Sequence, residues 1–112
     1  MSSSPRKVLV ADSDEIVLAL ISHILCRQGY AVDVALSADE AAARLAQREY
    51  HAVLIDVRFA SVLDGIPNLM PRTILLSPNG DVELPVHSVI RKPVEFGLLV
   101  DAVADCTREP DE

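Results

Sequence analysis

The sequence predicts a doubly wound α/β domain, a parallel sheet with helices on both faces. Three observations carry this. Short apolar runs rich in β-branched residues alternate with segments whose apolar residues recur at helical spacing. Several of those runs are apolar throughout, as strands buried on both faces are. The chain has 112 residues, half of them hydrophobic, which suits one core and one domain spanning residues 1–112.

The elements follow in order. Residues 1–5 are a flexible polar leader. Lys7 to Ala11 reads as a buried strand, stopped by Asp12-Ser13-Asp14, which offers N-caps for a helix. Ile16, Val17, Leu20, Ile21 and Ile24 then recur at helical spacing, and Gly29 stands where a helix C-terminus needs it. Tyr30 to Leu36 alternates about Val32 and Val34 as a second strand. Ser37-Ala-Asp-Glu40 has the form of a capping box and opens an alanine-rich helix reaching about Arg48. His51 to Ile55 is a third strand closed by Asp56, Thr73 to Leu76 a fourth, and His87 to Ile90 a fifth. Pro93 begins a last helix with Phe96, Leu99, Val100 and Val103 as its inner stripe. Residues 107–112 form a solvated tail.

The second half is compressed. Pro67 and Pro71 bracket the only helical candidate between the third and fourth strands, leaving Ile66 to Met70 roughly one to two turns at ~3.6 residues per turn. Pro78 to Val86 holds two prolines and a glycine, where a parallel crossover normally takes a dozen or more residues. The third and fourth helices are therefore expected to be shortened or missing.

Composition narrows the function. The net charge of −7 argues against duplex nucleic acid as a direct partner, because that affinity rests on Lys and Arg neutralising phosphates. No apolar run approaches membrane-spanning length and nothing resembles a signal peptide, so a cytoplasmic location is expected. Cys26 and Cys106 have no metal-like spacing and read as small apolar side chains on helices. Tyr30 and Tyr50 read as padding at strand edges, and His23, His51 and His87 as structural or exposed.

Open parallel sheets bind ligands beyond the carboxyl ends of their strands. Asp12, Asp56, Ser77 and Lys92 stand at such ends, on strands one, three, four and five, which are neighbours in the flavodoxin-like order 2-1-3-4-5. Two carboxylates suit a hard divalent cation such as Mg²⁺. A hydroxyl and an ammonium suit phosphoryl oxygens.

On these residues the chain resembles the receiver domains of bacterial two-component response regulators. Val8-Leu-Val-Ala-Asp-Ser-Asp-Glu15 is similar to their first-strand acidic motif, and Tyr50-His-Ala-Val-Leu-Ile-Asp56 to their phosphoacceptor strand. Asp64-Gly65, Ile74-Leu-Leu-Ser77 and Lys92-Pro93 match three further motifs in the family's order. The resemblance implies a phosphoprotein in a phosphorelay rather than a classical enzyme. Asp56 would accept a phosphoryl group from a histidine kinase or phosphotransfer protein. Mg²⁺ would be held by Asp12, Asp56 and the backbone carbonyl of Arg58, with Ser77 and Lys92 contacting the phosphoryl group.

Two departures bear on this. The family's second acid is Ser13 here, and a lost charge beside a divalent ion forfeits a few kcal/mol at an effective dielectric of ~20, so weakened Mg²⁺ binding is expected. The family's switch aromatic is Val89, which predicts atypical output. An alternative reading is therefore a degenerate receiver, working without phosphorylation as a docking or homodimerisation module or as a binder of a signalling nucleotide. A small phosphatase built on Asp56 is a third reading, disfavoured because the sequence offers no general acid beside Asp56.

Overall fold

The structure is a computed structural model describing residues 5–80 and 82–108. Residues 1–4 of the expected leader and residues 109–112 of the expected tail lie outside the described residues. The elements are β1 (Lys7–Ala11), α1 (Glu15–Arg27), β2 (Ala31–Ala35), α2 (Ala38–Gln47), β3 (Ala52–Asp56), two 3₁₀ segments (Val57–Gly65 and Pro67–Arg72), β4 (Thr73–Ser77), β5 (Ser88–Arg91) and α3 (Phe96–Thr107). The five strands are parallel in the order β2-β1-β3-β4-β5, as expected.

Strand alternation divides the core in two. Val8, Val10, Ala52, Leu54, Ile74, Leu76 and Ile90 face Leu18, Ile21, Leu25, Leu99 and Val103 of α1 and α3. Leu9, Ala11, Val53, Ile55 and Leu75 face the other way, onto Ala41, Tyr50 and Leu63 of α2 and its neighbouring segments. Side chains two apart share a face, so residue parity decides which layer each one joins.

Local chemistry explains the helix ends. Asp14 Oδ1 accepts from the amides of Ile16 and Val17 at 2.9 and 3.3 Å, capping α1. At the other end Gly29, with φ of +97°, donates to Cys26 O while Tyr30 N donates to Leu25 O, the paired bonds of a Schellman motif. Ser37 Oγ accepts from Glu40 N at 3.1 Å, and Glu40 Oε1 reaches back to Leu36 N at 2.7 Å.

Several expectations are revised. The buried stripe of α1 is Leu18, Ile21 and Leu25, while Ile16 and Leu20 are exposed. The segment is apolar on more than one face, and packing against the sheet selects Leu18, Ile21 and Leu25. α3 starts at Phe96 rather than Pro93, because Glu95 is extended (φ −89°, ψ 123°) and serves as the N-cap. Phe96 is consequently exposed, leaving Leu99 and Val103 as the inner residues. Thr107, assigned to the tail from sequence, closes α3 and meets the Tyr30 hydroxyl at 3.2 Å. Tyr50 is buried in the second core layer, and its hydroxyl donates to Asp33 at 2.7 Å. Cys26 is exposed on α1, whereas burial and Asp105 push the half-buried Cys106 thiol up to about 11.

The shortened second half is seen directly. A 3₁₀ segment forms over Val57–Gly65, and a second runs from Pro67 to Arg72 where a short helix over Ile66 to Met70 was expected. Among the described residues no helix stands between β4 and β5. No helix among them is long and apolar enough to cross a membrane.

Candidate functional site

Register and parity bring three of the predicted residues together. Ala11 pairs with Ile55 across β1 and β3, so Asp12 and Asp56 stand level at the carboxyl ends of adjacent strands. Ile90 pairs with Leu76, and Lys92 lies two residues beyond it on the same parity. Lys92 Nζ donates to Asp12 Oδ2 and Asp56 Oδ2, both at 2.6 Å. Asp12 is fully buried, Asp56 is 1% exposed, and the Lys92 side chain keeps 20% exposure. The Lys92 amide donates to Ser77 O at 2.9 Å, and the Lys92–Pro93 peptide bond is cis.

The fourth predicted residue joins differently. Ser77 has the parity of Leu75, and its hydroxyl is used within its own turn. It donates to Asn79 Oδ1 at 3.0 Å and accepts from Gly80 N at 3.2 Å, with Gly80 at φ +73° where a side chain would be strained. In the described geometry the Ser77 hydroxyl closes a turn over Ser77 to Gly80.

Arg58 enters the site by a route the sequence did not signal. Its backbone carbonyl was expected to help hold a metal ion; the contact the structure describes is through its guanidinium, which closes over the carboxylates. Nε and Nη2 donate to Asp56 Oδ1 and Oδ2, both at 3.1 Å, and the backbone amide adds a bond to Oδ1 at 2.8 Å. Nη2 also donates to Ser13 Oγ at 2.8 Å and lies 4.0 Å from Asp12 Oδ1. Such two-pronged contact is the strongest that guanidinium makes with a carboxylate. A long side chain two residues past a strand end has too many rotamers for sequence to aim it. The one available hint was a cation so near Asp56.

Charge follows geometry. Burial alone would raise the Asp56 carboxyl, but hydrogen bonds from Arg58 and Lys92 outweigh it and hold the group well below the usual carboxylate range. Burial would likewise lower the Lys92 ammonium, yet Asp12 and Asp56 carry it above its ordinary value. Hydrogen bonding to Asp56 also raises Arg58.

Asp12 and Asp56 form a buried acidic pair of the kind a divalent cation uses. As the side chains stand, the donor set does not fit that ion. Both Asp56 oxygens and Asp12 Oδ2 already accept from cationic N–H groups, and Asp12 Oδ1 accepts from Asp14 N at 2.9 Å. Mg²⁺ binds carboxylate oxygens at ~2.0–2.1 Å and would have to displace Arg58 to reach them. Beside the cluster lies a groove of about 260 Å³ lined by Val17, Leu20, Ile21, Pro93, Val94 and Phe96, with Lys92 at its edge.

No protein-family model matches the chain, and no curated protein matches it. Solved structures do. A CheY-like response regulator receiver domain protein from Methanospirillum hungatei JF-1 matches with 21% identity and TM-score 0.76, covering 91% of this chain and 93% of that one. The signal receiver domain of an HD domain-containing protein from Pseudomonas fluorescens Pf-5 matches with 22% identity and TM-score 0.75, covering 91% and 94%. The receiver domain of Francisella response regulator 1452 matches with 22% identity and TM-score 0.79, covering 91% and 96%. The parallel sheet, its strand order and these matches agree: the chain has the fold of the CheY-like response regulator receiver domains.

Proposed function

We propose that this chain is a cytoplasmic signal receiver that accepts a phosphoryl group on Asp56 from a phosphohistidine of a kinase or phosphotransfer protein. The observation that supports it is the carboxylate of Asp56 at the end of the central strand, kept ionised by Lys92 and Arg58 beside a second carboxylate. An Asp56 oxygen attacks phosphorus, the P–N bond breaks, and the imidazole leaves neutral, its proton already on the other ring nitrogen. The product is an acyl phosphate on Asp56. Lys92 stays within reach of the new phosphoryl oxygens, and the Ser77 hydroxyl turns to them by leaving Asn79. The apolar groove beside Lys92 accepts a helix of the phosphodonor, which gives the exposed Leu20 and Phe96 a partner.

The test is incubation with phosphoramidate, read by intact mass and by acyl-phosphate-sensitive electrophoresis. A single phosphoryl adduct is expected, absent in Asp56→Asn. An unmodified chain, or an adduct that survives that substitution, would overturn the reading. Arg58 sits on both Asp56 oxygens, and this favours one alternative, a receiver fold that works by protein contact with Asp56 unmodified. The unmodified result would support that alternative.

A further inference from the structure

The cluster at the carboxyl ends of β1, β3 and β5 holds two carboxylates, Asp12 and Asp56, and two cations, Lys92 and Arg58. Its formal charge is zero. Lys92 takes the Oδ2 side of both acids, and Arg58 spans Asp56, Ser13 and the Oδ1 side of Asp12. Ser13, a neutral acceptor, takes a bond from Nη2 without adding a charge that would call for a further cation.

We propose that Arg58 is the resident cation of this site, filling the space between Asp12, Ser13 and Asp56 and thereby keeping divalent ions out. This deepens the phosphoryl-acceptor reading and shares its site, but it concerns binding alone. A divalent ion approaching Asp56 meets a charge-balanced cluster and a like-charged guanidinium already bonded to both oxygens. It gains little by entering unless Arg58 leaves. Removing that one side chain strips the guanidinium bonds from both Asp56 oxygens and the nearby charge from Asp12 Oδ1, leaving Lys92 as the cation hydrogen-bonded to both acids. The Arg58 side chain is 64% exposed, so its truncation does not open the core.

The experiment is a Mg²⁺ titration of isotopically labelled chain at constant ionic strength, followed by amide shifts of Asp12, Ser13 and Asp56, with Mn²⁺ broadening as a second readout. It compares the natural chain with Arg58→Ala and with Arg58→Met, which keeps the aliphatic stem. The natural chain is expected to show no saturable shift at millimolar Mg²⁺. Both variants are expected to bind roughly tenfold tighter or more, a gain that adding Asp56→Asn removes. Saturation of the natural chain in the same range as the variants would overturn the proposal, and so would variants that gain no affinity. Phosphoramidate modification is read separately. A chain that never accepts phosphate yet gains Mg²⁺ when Arg58 is lost would sink the phosphoryl-acceptor reading and leave this inference standing.

Discussion

Lys92 hydrogen-bonds both buried acids of the site. Its ammonium is shared between Asp12 and Asp56, and neither carboxylate has another lysine within bonding distance among the described residues. Removing one partner of a buried ion pair leaves an uncompensated charge, which costs more than the pair contributes when whole. Lys92→Met is therefore expected to lower unfolding free energy by about 3 kcal/mol in urea titrations. Adding Asp12→Asn should recover part of that loss, and no recovery would mean that the pair is not what Lys92 stabilises.

Tyr50 makes a second prediction at this scale. Burial and the bond to Asp33 push its hydroxyl up to about 12. The protonated form is the one the fold favours, so its contribution is complete below the ordinary tyrosine value near 10 and fades as pH rises toward 12. Two units correspond to roughly 2–3 kcal/mol at ~1.4 per unit. Alkaline stability curves of the natural chain and Tyr50→Phe should differ below pH 10 and converge above it; parallel curves would refute the assignment. The site was partly legible in the sequence for a simple reason. Asp12, Asp56 and Lys92 end parallel strands with the same parity, which sequence spacing reports. Ser77 and Arg58 were decided by side-chain rotamers and by a local turn, which spacing does not report.

At the scale of elements, helix ends were readable wherever a side chain or a glycine makes the cap. Ser37, Asp14 and Gly29 each do what their residue types suggest. Gly29 has open space around a would-be Cβ, so its requirement is conformational rather than steric crowding. Gly29→Ala is expected to cost about 1 kcal/mol through the left-handed backbone alone, measured by chemical denaturation. An unchanged midpoint would show that α1 can end by another route. The start of α3 was misplaced because Glu95 caps without a side-chain hydrogen bond, so no residue type announces it. The phase of α1 was misjudged for a related reason. The segment is apolar on more than one face, and only packing chooses between Leu18 and Leu20.

For the whole molecule, the two faces of the sheet are not built alike. α1 and α3 cover one face with full α-helical turns, while α2 and two 3₁₀ segments cover the other, the latter anchored mainly by Leu63. Short 3₁₀ turns have poorer hydrogen-bond geometry and open more readily. Amides of Val57–Arg72 are expected to exchange with solvent well before those of β1, β3 and β4 in native-state hydrogen exchange. Equal protection would place the crossover in the same cooperative unit as the sheet. The compression of this half was visible in the spacing of its prolines, whereas the 3₁₀ form of Val57–Gly65 was not, because no periodic apolar pattern marks it.

The strand order also leaves β2 and β5 as the outer strands. Each is short, five and four residues, and each carries a charge, Asp33 at the centre of one and Arg91 at the end of the other. Short, charged borders are poor templates for a strand from another chain. Growth of the sheet into fibrils or strand-swapped chains is thereby disfavoured.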